Sequence, residues 1–288
     1  MNIVALEPYY GGSHRAFLDG WVSRSRHDWT VLTLPAYKWK WRMRHGAITL
    51  ADRVGDLIEA GQQFDVLFCS DMLNLAEFLG LSCQAVRALP AIVYFHENQL
   101  TYPVRHESER DFHYAFTNIT TALAADAVWF NSGFHRDEFL GALPGFLKRM
   151  PDYQPLEVID RIAAKAGVQH PGIESFEPRR PRRPGSMRIL WAARWEHDKN
   201  PEAFFGAVRR LKAKGVGFRI SVIGESFRDC PPVFEWARAF FGEHIDHWGY
   251  QASRAEYVAV LGDADVVVST AEHEFFGLAV AEAVAAGC

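Results

Sequence analysis

The chain has 288 residues, 49% apolar and 23% charged, with a formal net charge of −4. That length permits two globular domains, and that charge excludes a general polycation, so contact with nucleic acid must come from a local patch. No run approaches the ~18 apolar residues of a membrane span, and the four scattered cysteines form no C-x-x-C pair, which argues against a disulfide framework or a cysteine zinc site.

The first expected strand, 2–6, opens the chain directly, without a basic or apolar leader. It runs into Glu7-Pro8-Tyr9-Tyr10-Gly11-Gly12-Ser13-His14. Gly11 and Gly12 let the backbone approach a ligand closely, and Ser13 suits the N-cap of a helix over 14–25. The spacing is not G-x-G-x-x-G, which disfavours a dinucleotide site. A plain strand-to-helix turn explains the glycines equally well, though not the paired tyrosines.

After a strand over 29–34 comes Lys38-Trp39-Lys40-Trp41-Arg42-Met43-Arg44-His45. Cations grip phosphates and tryptophan faces stack on unpaired bases, so Lys38, Trp39, Lys40, Trp41, Arg42 and Arg44 form a candidate RNA surface. The period of two fits an edge strand with snorkelling cations as well, and a lipid-headgroup surface is a third reading. Helices are expected at 47–60, 72–80, 111–124, 133–141 and 155–166, with strands at 64–69, 90–95 and 126–131. The short continuous apolar runs of these strands are those of a buried parallel sheet. The fourth strand is followed by His96-Glu97-Asn98-Gln99-Leu100-Thr101-Tyr102-Pro103. Four polar side chains at a strand's carboxyl end suit an active site, with His96 on a sugar or acceptor hydroxyl. Satisfying the loop backbone is the alternative for His96 and Asn98.

Three prolines and four arginines in the nine residues from Glu177 to Gly185 mark a linker. The boundaries are therefore 1–174 for a first domain, 175–186 for the linker and 187–288 for a second domain. There the alternation restarts: strands at 187–193, 217–223 and 265–269, helices at 201–214, 231–241, 253–262 and 277–286. Arg194 and Lys199 fall at a strand-to-helix junction, where an Arg fork and a Lys point charge could hold a diphosphate. About eighty residues later comes Glu274-Phe275-Phe276-Gly277-Leu278, then Glu282. A loop carboxylate before free helix amides suits a phosphorylated, hydroxyl-rich ligand. Solvated surface cations and an amphipathic helix with a solvated Glu are the plainer readings of the two motifs.

The R-x-x-x-x-K and E-x-F-G-x-x-x-x-E pair resembles the donor site of retaining glycosyltransferases with the GT-B fold, two Rossmann-like doubly wound parallel-sheet α/β domains facing a cleft. Against that family the second domain is expected to be truncated. The Tyr-Tyr-Gly-Gly-Ser-His, Lys-Trp-Lys-Trp-Arg-Met-Arg, His-Glu-Asn-Gln-Leu-Thr-Tyr-Pro, Phe130-Asn131-Ser132 and His273-Glu274-Phe275-Phe276-Gly277 segments resemble the tRNA-queuosine mannosyltransferase group. The resemblance implies transfer of mannose from GDP-mannose to the cyclopentenediol of queuosine in a tRNA anticodon. It implies His96, Arg194, Lys199 and Glu274 as catalytic residues, and Gly11, Gly12, Phe276, Gly277, Leu278 and Glu282 beside Arg194 and Lys199 for the donor. Ser13, His14, the Lys38–Arg44 cations and tryptophans, Glu97, Asn98 and Gln99 are the acceptor candidates. The departing phosphate oxygen would take the acceptor proton, with no protein nucleophile. With no D-x-D pair and no H-E-x-x-H spacing, no metal and no cofactor beyond the nucleotide sugar are expected. No obligate protein partner is expected, and the location is cytoplasmic. The rivals are a GT-B enzyme acting on a lipid or polysaccharide, and a non-catalytic module binding RNA or a nucleotide sugar; a hydride-transfer enzyme is weaker.

Overall fold

Nine residues at the start form β1 (Asn2–Tyr10), six of them buried in an unbroken run from Ile3 to Pro8. Such continuous burial requires cover on both faces, which parallel crossovers provide. The computed structural model describes residues 1–104, 110–176, 184–226 and 230–288. It divides into two units, Met1–Gly172 and Ile173–Cys288. Most of the expected Pro/Arg linker, 177–183, lies outside the described residues.

The first unit continues with α1 (Gly12–Val22), β2 (Asp28–Pro35), α2 (Trp39–Glu59), β3 (Val66–Ser70), α3 (Leu75–Leu81), α4 (Gln84–Arg87) and β4 (Ala91–Phe95). It closes with α5 (Phe112–Ala124), β5 (Ala127–Phe130), α6 (Gly133–Leu147), α7 (Val158–Ala163) and β6 (Ala166–Val168). The sheet order is β2-β1-β3-β4-β5-β6, with every pairing parallel. β1 therefore hands the chain to β2 on one side and lies against β3 on the other, which is the strand-order reversal where such sheets bind ligands. Leu50, Ala51 and Val54 of α2 pack with Val4, Leu6, Leu67, Val93 and Phe95 in the main core.

The second unit holds β7 (Met187–Ala192), α8 (Pro201–Ala213), β8 (Phe218–Ile223), α9 (Val233–Phe241), β9 (Ile245–Gly249), α10 (Arg254–Asp263), β10 (Val266–Val267) and α11 (Leu278–Ala285). Its sheet, β10-β7-β8-β9, is again all parallel and reverses between β7 and β10. Trp191, Trp195, Phe204, Phe205, Phe234 and Phe241 fill its larger core. No helix among the described residues is long and apolar enough to cross a membrane.

Three sequence expectations need correction, and one strand lay outside them. The Lys38–Arg44 block is not an edge strand: α2 begins at Trp39, with Lys38 in left-handed backbone at its N-cap (φ 53°). Helix spacing sends Trp39, Met43, Gly46, Ala47 and Leu50 inward, a period that an alternation over seven residues conceals. Ser13 does not cap α1. That helix starts two residues earlier, so Gly11 takes the cap position and Ser13 is exposed in the first turn. The helix expected over 155–166 ends at Ala163, and Ala166–Val168 pairs with β5 as an edge strand. β9 went unread because Ile245-Asp246-His247-Trp248-Gly249 lacks a continuous apolar run.

Candidate active site

In the second unit the reversal between β7 and β10 brings the two motifs together. The loop after β7 and the loop after β10 are stitched by backbone and side chain: Glu272 N–H donates to Asp198 O at 3.0 Å, and Thr270 Oγ1 donates to Lys199 O at 2.9 Å. Thr270 also accepts from Trp191 Nε1 at 3.1 Å, anchoring the junction to the core. Asn200, in left-handed backbone, caps α8 through its side chain on Ala203 N–H, and Pro201 follows at the first helical position. That sharp turn aims Lys199 back into the site.

Lys199 is only 7% exposed, and its Nζ lies 2.9 Å from Asp198 Oδ2 and 2.8 Å from Glu274 Oε1. A buried ammonium needs such compensation. The geometry therefore joins Lys199 and Glu274, 75 positions apart in sequence, into one charged pair. Arg194 is exposed, with Nη2 3.2 Å from Glu196 Oε2. Gly277, at φ 80°, lets the chain turn from the Phe275-Phe276 loop into α11, and no side chain caps that helix. Glu282 is buried in α11, where it accepts from Arg254 Nη2 and from Tyr257 Oη at 2.8 Å. Burial, then the Glu282 charge, pushes the Tyr257 phenol up, so it remains a donor. Glu282 thus already serves a structural network, with Arg254 also bridging to Glu174 at 3.1 Å.

In the first unit the reversal at β1/β3 gathers residues from three loops. Gly11 is required by a close approach, since a Cβ there would lie 2.4 Å from Ala36 Cβ. Gly12 has φ 51°, and together they swing His14 beneath the strand ends. His14 Nδ1 sits 3.2 Å from Glu7 Oε2, and both residues are buried. Glu7 Oε1 accepts from Ser70 Oγ at 2.9 Å and Tyr9 N–H at 2.8 Å. Asp71, fully buried, accepts from the His96 N–H at 2.8 Å. Burial opposes charge on His14, but Glu7, with Asp71 and Glu97, outweighs it and raises the imidazole to about 9. Burial, reinforced by His14 and His135, holds His96 well below the ordinary histidine range. Burial holds the Asp71 carboxyl well above the ordinary carboxylate range. The cluster therefore centres on one ion pair, Glu7–His14.

Glu7, His14 and His96 also have the composition of a metal site, with one ligand atom from each within 4.8 Å of the others. The contact present between two of them is an ion pair. His14 Nδ1 is engaged with Glu7, and the two imidazoles face each other at 4.0 Å between centroids, tilted by 33°.

The acceptor candidates separate. Asn98 is completely buried; its Oδ1 accepts from Leu100 N–H and Thr101 N–H, and its Nδ2 donates to Thr101 Oγ1. These bonds organise the loop that follows β4. Gln99 is nearly buried, its N–H on Asn118 Oδ1 and its Nε2 on Glu97 Oε1. Trp39 packs on Tyr114, with centroids 5.1 Å apart, whereas Trp41 is 60% exposed. Arg42 is tied to Pro35 O and His45 Nε2. Lys40 lies over the Trp39 ring and Arg44 over Tyr114, both exposed. The sequence reading missed Glu7, Asp71 and Thr270. For Glu7 and Asp71 the available signal was a carboxylate directly after an apolar strand.

A family profile described as tRNA-queuosine alpha-mannosyltransferase N-terminal matches residues 2–173, and one described as Family 4 Glycosyltransferase in conflict systems matches 158–288. The chain is 38% identical over 299 aligned residues to a tRNA-queuosine alpha-mannosyltransferase of Drosophila melanogaster, covering 100% of this chain and 78% of the relative. A Mycobacterium tuberculosis GDP-mannose-dependent alpha-(1-6)-phosphatidylinositol dimannoside mannosyltransferase is 29% identical over 185 residues, which is 60% of this chain and 42% of that protein. Among solved structures, a UDP-forming alpha,alpha-trehalose-phosphate synthase from Burkholderia xenovorans superposes with a TM-score of 0.61 at 15% identity, over 99% of this chain and 81% of its own. A lipopolysaccharide outer core galactosyltransferase gives 0.58 at 12% identity, over 100% and 79%. These likenesses establish the fold, GT-B.

The Glu7–His14 pair makes stability depend on pH with a definite sign. The folded-state value of His14, about 9, lies above the ordinary 6.5, so its contribution is complete below about 6.5 and lost as pH rises through about 9. Urea unfolding from pH 6 to 10 should show wild type losing stability over that window relative to His14→Gln. Parallel curves for the two proteins would contradict the ion pair.

Proposed function

The chain belongs to the tRNA-queuosine alpha-mannosyltransferase family, and from that premise we propose that it transfers mannose from GDP-mannose to the cyclopentenediol of queuosine in tRNA. It is a glycosyltransferase. The observation that carries the chemistry is the Lys199–Glu274 pair at the β7/β10 reversal. A buried ammonium held ready by two carboxylates is a preorganised charge, able to exchange those partners for the phosphate that leaves the sugar. Arg194 adds a fork from the solvent side, and the amides entering α11 at Gly277 and Leu278 favour the same anion.

In this reading the diphosphate departs with the glycosidic electron pair, leaving oxocarbenium-like charge on the sugar. The acceptor hydroxyl attacks from the same face and gives its proton to the departing phosphate oxygen, so configuration is retained. Glu274 orients sugar hydroxyls, and Glu282 positions the ribose side through the network it shares with Arg254 and Tyr257. His96, from the first unit, meets a sugar or acceptor hydroxyl. We assign acceptor recognition to residues 1–174 and donor binding to 187–288, place the reaction in the cytoplasm, and assign no metal to the diphosphate. On the acceptor side, Trp41 with Lys38, Lys40 and Arg44 forms the face that would meet RNA.

Arg194→Ala is the cleaner probe of the leaving-group site because Arg194 is exposed, whereas Lys199→Ala also leaves Asp198 and Glu274 unbalanced. Each should lower turnover about 100-fold or more, the scale for losing a transition-state charge. Near-normal transfer by the folded double variant would remove the assignment.

Activity should persist in EDTA, because two cations already serve the phosphates. Loss on chelation with recovery on magnesium or manganese would overturn metal independence.

The acceptor is tested with labelled GDP-mannose and two tRNAs, one carrying queuosine and one carrying guanosine at the same position. Only the first should be labelled, since guanosine lacks the attacking hydroxyl. Trp41→Ala should weaken tRNA binding by about 1–3 kcal/mol, the loss of one base stack, with donor binding unchanged. Equal labelling of both tRNAs, or labelling of a glycolipid alone, would rule out queuosine as the acceptor.

A further inference from the structure

His96 is held in an unusual way. Its ring is enclosed by His14 at 4.0 Å between centroids, Tyr94 at 4.7 Å and Phe17 at 5.0 Å. Neither ring nitrogen is hydrogen-bonded among the described residues, although the ring keeps some exposure. A functional histidine ordinarily has its second nitrogen fixed by a carboxylate or carbonyl. Here packing does that work, and the packing surface is another imidazole. That imidazole is fixed by Glu7, itself locked by Ser70 Oγ and the Tyr9 N–H. The backbone of His96 is pinned separately, by Asp71.

We propose that Glu7 is a positioning residue for His96: through its pair with His14 it presents the His96 ring, held in one orientation, to a sugar or acceptor hydroxyl. This rests on the glycosyltransferase reading above. The groups around His96 are Glu7 from β1, His14 from α1, Asp71 after β3, Tyr94 and Glu97 on either side, and His135 from α6. His14 and His135 are the ones that oppose charge on it, after burial itself. With Glu7 in place His14 is cationic at neutral pH, and a cation stacked on His96 keeps the latter unprotonated. A neutral imidazole can accept a hydroxyl's hydrogen bond or donate one; an imidazolium can only donate.

The test compares wild type with Glu7→Gln, measuring kcat, KM for GDP-mannose and the pH profile of kcat/KM. Glu7→Gln should lower kcat by roughly 10- to 100-fold, the scale of a misplaced catalytic group, with little change in KM for the donor. Its acidic limb should move to higher pH, because His14 without its counter-charge no longer opposes protonation of His96. Glu7→Asp should recover part of both effects. If Glu7→Gln does not fold, His14→Phe keeps the stack without the charge and should show the same upward movement. Imidazole 15N shifts of the wild-type protein give an independent readout, with His14 titrating near pH 9. An unmoved acidic limb in a folded variant, or His14 titrating near 6.5, would overturn the inference while leaving the transferase reading intact. Absence of transfer by wild type would instead strike that reading.

Discussion

Both sites descend from one constraint of parallel sheets. Each crossover from strand to strand must keep its right-handed sense, so a chain that extends a sheet first to one side and then to the other must reverse direction. At that reversal the two adjacent loops leave in opposite directions, and the strand ends between them are uncovered. In the first unit this happens between β1 and β3, and there Glu7, His14, Asp71 and His96 meet. In the second unit it happens between β7 and β10, and there Lys199 and Glu274 meet. The same geometric rule, applied twice, accounts for residues far apart in sequence sharing a site.

The second organising principle is the cost of burying charge. An unpaired buried ion is strongly destabilising, so each one requires a partner. Lys199 has Asp198 and Glu274; Glu282 has Arg254 and Tyr257; His14 has Glu7. The three differ in what the pairing permits. Glu274 is partly exposed, so it can give up Lys199 to a competing anion. Glu282 and Glu7 are enclosed, and their partners are held on elements that also carry the core. Enclosure makes these two carboxylates supports for other groups, whereas exposure leaves Glu274 and Arg194 able to meet a ligand directly.

Much of this was legible in sequence for a physical reason. Buried parallel strands such as Ala91–Phe95 and Met187–Ala192 are continuous apolar runs, and that signal survives without context. The donor motifs were legible because local backbone demands, Asn200 with Pro201 and Gly277 before a helix, coincide with the chemical residues. Edge strands were not: Ala166–Val168 and Ile245–Gly249 are half-buried and mixed in character. Glu7 and Asp71 were missed because their importance lies in neighbours 63 and 25 positions distant, Ser70 and His96, which no local pattern reveals. Asn98 is the converse case, since its side chain bonds neighbours two and three positions on.

The Lys38–Arg44 block shows how much a change of period alters a functional argument. On a strand, Trp39 and Trp41 would share one face and could stack on two successive bases. On a helix they stand about 200° apart, so only one can face outward while the other packs inward. Trp39 takes the inward place, against Tyr114 of α5, and the Lys40 ammonium and Arg44 guanidinium lie over those same rings. The exposed set is then one tryptophan, Trp41, on a helix that its inward neighbour ties to Tyr114. Such a surface would suit a single unpaired base, with the inward tryptophan holding the helix against its neighbour. The profile specific to the queuosine family ends with this unit, at residue 173, while the general glycosyltransferase profile covers the second. If acceptor selectivity follows the first profile and leaving-group chemistry the second, a change in acceptor need not disturb Lys199 and its partners.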